Sequence, residues 1–259
     1  LQDSSDVVAE STRAKLQKIG YEVVEIIRVK VEMSDGLEAS ARRARYEAFE
    51  EAIEKYQAQY FFLGHTEDDL AEQVLLGLAR GSGTRSLSGM SAKNGKFIRP
   101  MLEITRATTV EVCREHLLEP WNDPHNEDQR FTRAKVRHKI LPLLERELGP
   151  GISEALARTS RILREDADAL DEIAEDFISA FDSLDTSELA ALPKAVRSRV
   201  LRKLLHAAGT PVGALTADHL APIEALVTAW HGQGATSLPG GVKVERISGR
   251  LSLSQPTTD

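Results

Sequence analysis

Apolar and β-branched residues follow two spacings in the first half of the chain and only one in the second. Val8, Ala9, Thr12 and Leu16 recur at helical intervals behind a cap at Ser4 or Ser5, and Gly20 closes that helix. Tyr21 to Val29 (YEVVEIIRV) is β-branched and predicts a strand. Glu38 to Tyr56 predicts a helix with Ala41, the Arg45 stem, Phe49, Ala52, Ile53 and Tyr56 on one side. Tyr60 to Leu63 predicts a second, buried strand, Asp68 to Ala79 a helix, Phe97 to Arg99 a short extended piece and Thr108 to Leu118 another helix. Alternation of this kind predicts an α/β unit, a parallel sheet with helices on both faces.

Beyond Pro142 the strand spacing stops. Leu156, Leu163, Ala167, Leu170, Ala174, Phe177 and Phe181 repeat every three or four residues, which predicts one long helix. Leu189 to Ala208 and Asp218 to His231 predict two more helical regions. The tail from Ser237 to Ser254 reads as an LPGG turn, an alternating strand (VKVERI), a Ser-Gly turn and a short strand (RLSLS), a small β hairpin. The change of pattern near Glu147 to Pro150 divides the chain into residues 1–147 and a mostly helical domain of residues 148–259, with no internal repeat.

Composition narrows the class. At 259 residues, with 41% hydrophobic and 28% charged, the chain has the make-up of an ordinary soluble protein of about two domains. No apolar run approaches the roughly 20 residues that span a bilayer, and LQDSSDVVAE lacks the regions of a signal peptide, so a cytoplasmic location without a membrane partner is expected. The single cysteine, Cys113, falls in a helical pattern and reads as a small buried hydrophobe. A net charge of −7 excludes a uniformly basic nucleic-acid binder. Two basic clusters nevertheless stand out: Arg130 to Arg146 holds six Lys or Arg against one Glu, and Lys194 to Lys203 holds five and no acid.

In an open parallel sheet, ligands bind beyond the carboxyl ends of the strands. The strand at Tyr60 hands over to a helix through Gly64-His65-Thr66-Glu67-Asp68-Asp69. Helical rotation sets Asp69, Glu72, Gln73 and Arg80 on one side and Leu70, Val74, Leu75 and Leu78 on the other, so the carboxylates are expected to face away from the core. Two carboxylates and a histidine at such a lip could hold nucleotide-borne magnesium or a substrate ammonium, and helix capping alone accounts equally for Asp68 and Asp69. Arg80-Gly81-Ser82-Gly83-Thr84-Arg85 sets small residues between two arginines, a pattern that offers N–H groups and positive charge to a phosphate.

GHTEDDLAEQVLLGLARGSGTRSLSGM resembles the second motif of the tRNA(Ile)-lysidine synthetases, members of the PP-loop (N-type ATP pyrophosphatase) group. The resemblance continues through Arg99-Pro100-Met101-Leu102, Trp121-Asn122-Asp123-Pro124-His125-Asn126 and Phe131-Thr132-Arg133-Ala134-Lys135-Val136-Arg137, with Leu141-Pro142 behind. Ala41-Arg42-Arg43-Ala44-Arg45-Tyr46 looks like a further element of the family, and Leu238-Pro239-Gly240-Gly241 resembles the end of its substrate-binding domain. The family's ATP-binding loop, Ser-Gly-Gly-x-Asp-Ser, is not in the sequence, whereas Leu1-Gln2-Asp3 resembles the segment after the second strand. The expectation is that the first strand, the loop, its helix and the second strand precede Leu1, and that residues 1–259 without them are inactive.

The resemblance implies a PP-loop catalytic domain followed by a helical tRNA-binding domain. It implies an ATP- and Mg2+-dependent ligase that adenylates C2 of the wobble cytidine in CAU-anticodon tRNA(Ile). L-Lysine then displaces AMP, and codon reading changes from Met to Ile. By motif position Asp69 and Glu72 fall on the lysine or metal side as catalytic residues, with Asp68 beside them, while His65, Arg80, Gly81, Ser82 and Gly83 fall on the nucleotide side. Arg130, Arg133, Lys135, Arg137 and Lys139 would meet tRNA phosphates, as would Lys194, Arg197, Arg199, Arg202 and Lys203 from the helical domain. No side chain is assigned as a dedicated metal ligand, and Trp121 reads as a partly buried structural residue or a base-stacking one. A second copy of the chain, in a homodimer, is a further partner considered. The rival readings are a thiolase-type PP-loop enzyme, disfavoured by the lone Cys113, a non-catalytic tRNA-binding protein, and an amidotransferase-type synthetase, which Arg130 to Arg137 does not support.

Overall fold

A computed structural model describes residues 5–31, 37–128 and 130–255. The chain divides into two units, Leu1–Arg161 and Ile162–Asp259. The turn at Glu147 to Pro150 does end a helix, at Gly149 with φ 102°, but the units divide further on, within a 29-residue helix, α8 (Ile152–Ala180), that supplies residues to both.

The first unit opens with α1 (Ser5–Lys18), closed at Gly20, and the alternative cap Ser4 lies outside the described residues. Tyr21 to Val29 forms no regular element and among the described residues joins no ladder, which corrects the strand expected there. Its side chains have no sheet neighbour to pack on, and Val23 is 69% exposed. Side chains tether it instead: Glu25 accepts from Lys55 Nζ at 2.5 Å and from Tyr56 Oη at 2.8 Å.

Helix α2 (Leu37–Lys55) buries Ser40, Ala44, Ala48 and Ile53, so its inner face is turned relative to the one expected and Arg45 is exposed. Small residues on that face let the helix approach closely, and aromatic rings fill the flank. Phe49 lies 4.5 Å from Phe61 between ring centroids, and Tyr46 lies 5.2 Å from Phe97. Such edge and tilted pairs add about 0.5–1.5 kcal/mol each beyond area burial. The rings Phe61 and Phe97 sit on β1 (Phe61–Phe62) and β3 (Phe97–Ile98), which pair in parallel, while β2 (Lys93–Asn94) pairs antiparallel to β3.

Past β1 the chain turns through Gly64, His65 and Thr66 into α3 (Glu67–Ala79), then α4 (Thr84–Leu87) and, after the sheet, α5 (Arg106–Glu115). Helix α5 ends earlier than expected because Leu117 adopts φ 54°. Cys113, in its last turns, is part exposed rather than buried, on the wall of an apolar cleft between α1 and residues 116–121 that also exposes Trp121. Helix α6 (Thr132–Lys135) runs through a π turn at Val136–Ile140 into α7 (Leu141–Leu148). The widened turn precedes Pro142, which has no N–H for the α-helical bond and whose ring crowds the preceding turn.

The second unit is held by one apolar cluster in which Leu189, Val200, Leu201, Leu205, Ile223, Leu226, Val242 and Val244 are all at most 1% exposed. It joins the end of α8 to α9 (Thr186–Ala191), α10 (Lys194–Ala207) and α11 (Ala217–Thr228), and Pro193 separates α9 from α10 where one helical region was expected. An antiparallel sheet of β4 (Thr236–Ser237), β5 (Lys243–Ile247) and β6 (Arg250–Ser254) completes it. Ser248 and Gly249, at φ 50° and 80°, turn β5 into β6 with Ile247 opposite Arg250, the two-residue turn the Ser-Gly pair predicts.

Candidate active site

Thr66 sets the start of α3. Its N–H donates to Asp69 Oδ2 at 2.9 Å and its hydroxyl to the same oxygen at 3.0 Å, which ties the carboxylate back over the first turn. Asp68 leaves that turn and accepts the backbone N–H of Arg106 at 2.6 Å, so the head of α5 is fastened to the head of α3. One turn on, Glu72 has a side chain that is 0% exposed.

Three arginines converge on these two carboxylates. Arg137, from the π turn, donates Nε to Glu72 Oε1 at 2.6 Å and Nη2 to Glu72 Oε2 at 3.0 Å, and it reaches Asp69 Oδ1 at 3.2 Å. Arg133, four residues earlier on the same helical face, donates Nε to Glu72 Oε2 at 2.9 Å and Nη2 to the Asp69 carbonyl at 3.2 Å. Arg106 donates Nη2 to Asp69 Oδ1 at 3.1 Å, with Nη1 3.6 Å from Glu72 Oε1. Burial pushes the Asp69 carboxyl up, but the Thr66 N–H and the charges of Arg106 and Arg133 outweigh it and hold the group below its ordinary value. Burial likewise opposes the charge on Arg137, and its hydrogen bond to Glu72 overrides it.

The outward-facing carboxylates expected from the helical rotation are therefore corrected. Glu72 is enclosed because guanidinium groups satisfy both its oxygens, which makes burial of its charge affordable. Arg133 and Arg137 face this cluster, leaving Lys135 and Lys139 on the exposed side of the same helical stretch, with Arg130 exposed beside them and paired with Asp128. No group of three or more metal-ligating side chains lies together among the described residues, and the oxygens of Asp69 and Glu72 are occupied, so these side chains do not fit a magnesium site.

A cavity of about 510 Å³ opens beside the cluster, lined by Asp68, Glu72, Arg106, Arg137, Glu145 and Arg146 together with the apolar Leu141 and Pro142. Glu145 accepts the N–H groups of Gly151 at 2.7 Å and Ser153 at 2.9 Å and so caps α8. The Ser153 N–H is the main cause that holds the Glu145 carboxyl below its ordinary value. A depressed carboxyl stabilises the fold above the unfolded pKa of about 4.3 and loses that contribution as pH falls through the folded value. Acid titration of Glu145→Gln, followed by circular dichroism, is expected to give a shallower loss of stability below about pH 4 than the parent.

His65 precedes the cluster. Burial lowers its pKa, with the charges of Arg99, Arg133 and Arg42 adding to the effect against Asp69, and its buried Nδ1 has no hydrogen-bond partner. Arg80, Gly81, Ser82 and Gly83 lie at the other end of α3, and a 13-residue helix separates them from His65 by about 20 Å. They do not share one lip. Gly81, at φ 64°, turns its N–H back to the Leu78 carbonyl and Ser82 donates to Gly77, a helix C-cap that uses two of the N–H groups expected to meet phosphate.

The second basic cluster is put to internal use. Arg197, 8% exposed, donates to Glu224 at 2.8 Å and to the Leu192 carbonyl at 2.9 Å. Arg199 pairs with Asp171 at 2.8 Å, Arg202 donates to the Leu215 carbonyl at 2.9 Å, and Lys203 pairs with Glu175. Lys194 alone of the five is exposed. Sequence reasoning missed Arg106. The available signal was its place directly behind the Thr105 cap of α5, whose hydroxyl accepts from Thr108 N–H at 3.2 Å.

Residues 2–144 match the PP-loop domain and residues 184–252 match the TilS substrate binding domain. The class is therefore that of PP-loop enzymes, which use ATP, here carrying a second, substrate-binding unit. The tRNA(Ile)-lysidine synthase of Thermobifida fusca is 47% identical over 98% of this chain and 80% of its own length. Those of Streptomyces coelicolor and Mycobacterium tuberculosis are 47% and 44% identical over 98% and 95% of this chain and 74% and 77% of theirs. The chain belongs to the tRNA(Ile)-lysidine synthase family. Among solved structures, the U34-tRNA thiolase NcsA from Methanococcus maripaludis aligns over 62% of this chain and 57% of its own at 17% identity and TM-score 0.43, a likeness too weak to bear on fold or activity.

Proposed function

We propose that the protein ligates L-lysine to C2 of the wobble cytidine of CAU-anticodon tRNA(Ile). ATP activates that carbon by adenylation with loss of pyrophosphate, and the lysine ε-amine then forms the new carbon–nitrogen bond as AMP leaves. The single observation that carries the lysine half is the cavity beside Asp69 and Glu72. Carboxylates, guanidinium groups and the apolar Leu141 and Pro142 all line it. A zwitterionic amino acid with a long methylene chain and a terminal ammonium matches that arrangement of charges.

His65, with its unpartnered Nδ1 and depressed pKa, is a neutral imidazole suited to a hydrogen bond with the nucleotide at the head of α3. Arg80 to Gly83, some 20 Å along the helix, is assigned to the polynucleotide backbone rather than to ATP. Lys135 and Lys139 supply exposed positive charge for tRNA phosphates from the first unit, where Arg130 would first have to part from Asp128, and Lys194 does so from the second. Magnesium would arrive with the nucleotide phosphates, since Asp69 and Glu72 are engaged by arginines. A cytoplasmic location suits these substrates, and among the described residues no helix is long and apolar enough to cross a membrane.

The test is ATP-dependent incorporation of labelled lysine into a CAU-anticodon tRNA(Ile) transcript by the full-length protein. The expected result is incorporation that vanishes without ATP and releases one AMP per lysine. Binding of the tRNA with no incorporation would overturn the reading in favour of a binding protein.

A further inference from the structure

The cluster at the head of α3 is electrically closed. Arg106, Arg133 and Arg137 bring three positive charges, Asp69 and Glu72 accept their guanidinium groups, and Asp68, bonded to the Arg106 backbone N–H, brings a third carboxyl group beside them. L-Lysine, with a net charge of +1, adds a cation to this set, and its ε-ammonium needs the Asp69 and Glu72 oxygens, which are already in use. It can enter without a charge penalty only if one resident cation leaves.

The three arginines are unequally held. Arg137 makes three hydrogen bonds to the two carboxylates and is 19% exposed. Arg133 makes two bonds, one to Glu72 and one to the Asp69 carbonyl. The Arg106 guanidinium makes one, to Asp69 Oδ1, and its second contact, at 3.6 Å from Glu72, is too long to be a hydrogen bond. Arg106 also lines the cavity of about 510 Å³ and is 33% exposed, so it has somewhere to go. Its backbone N–H, bonded to Asp68 at 2.6 Å, holds the start of α5 independently of where the side chain lies.

We propose that the Arg106 guanidinium is a resident stand-in for the substrate ammonium, occupying the cation slot on Asp69 until lysine displaces it. This rests on the reading of Asp69 and Glu72 as the lysine side of the site. Arg106 is thereby a specificity-determining residue. Only a ligand whose side-chain cation competes with a guanidinium for Asp69 opens the slot, and an amino acid with the same side chain but no ε-ammonium is refused.

The experiment is calorimetric titration of the protein with L-lysine and with L-norleucine, on the parent, Arg106→Met, Arg106→Lys and Asp69→Asn, each checked for a parent-like far-UV spectrum and melt. Removing a competing internal cation releases the part of the affinity spent on displacing it, so Arg106→Met is expected to tighten lysine binding about five- to tenfold. Norleucine binding is expected to stay weak, and Arg106→Lys, which keeps a cation, to remain near the parent. Arg106→Met that binds lysine no better than the parent overturns the inference. Asp69→Asn separates the two levels: lysine binding unaffected by it removes the lysine site itself, whereas binding lost in Asp69→Asn but not tightened in Arg106→Met removes only the role given to Arg106.

Discussion

Glu72→Ala is expected to destabilise the first unit by about 2–4 kcal/mol, more than any surface substitution in the chain. The substitution removes the acceptor for three guanidinium nitrogens, at 2.6, 2.9 and 3.0 Å, and leaves Arg106, Arg133 and Arg137 to share Asp69 as their counter-charge. Breaking a wholly buried pair by removing one partner costs about 3–5 kcal/mol. The estimate here is lower because the arginines are 19% to 34% exposed and recover some hydration. For a unit of this size the loss corresponds to a fall in melting temperature of roughly 5–15 °C. Glu72→Gln should be nearly as costly, since its amide nitrogen would point a donor at a donor. Thermal melts of the parent and both variants by circular dichroism measure this, and an unchanged midpoint would mean that the arginines do not depend on Glu72.

Gly89→Ala is expected to cost about 2–4 kcal/mol through a different cause, the absence of room. A Cβ at this position would lie 2.3 Å from Leu70 Cδ1 and 2.8 Å from Ser160 Oγ, and the residue sits at φ 61°. Leu70 is 2% exposed in the core face of α3 and Ser160 is buried on α8, so neither can yield without opening the packing behind the site. Chemical denaturation should show a lower midpoint with an unchanged slope. As a control, Gly234→Ala, at an exposed position where no atom lies within 4 Å of a Cβ, should be close to neutral. Equal melts for Gly89→Ala and the parent would contradict this packing.

Both substitutions concern interactions that local sequence reading handles poorly. The helical rotation of α3 sets Asp69 and Glu72 together on one side, and the structure keeps them together. Rotation alone cannot say that this side is covered, because the cover comes from residues sixty positions later. The pair Arg133 and Arg137 was visible as part of a basic run, and its spacing of four shares a helical face. The run was read as one RNA-facing surface because charge without a partner in view looks solvated. The same holds for Arg197, Arg199 and Arg202, whose partners Glu224, Asp171 and the Leu215 carbonyl are remote in sequence or local only after folding.

What the sequence determined by itself is what depends on neighbours a few residues apart. Most of the longer helices of both units, the Gly20 termination, the Ser248-Gly249 hairpin and the handover from Phe61 into α3 follow from periodicity and turn chemistry, and the long motif from Gly64 to Met90 was enough to indicate the family. Tertiary structure decided the rest. It left Tyr21 to Val29 outside any ladder among the described residues, since a strand exists only with a partner. It also placed Arg80 a helix length away from His65, buried Glu72 and brought Arg106 onto Asp69. A carboxylate carries no local mark of whether it will meet water, a metal or a guanidinium, and only packing brings that partner within hydrogen-bonding distance.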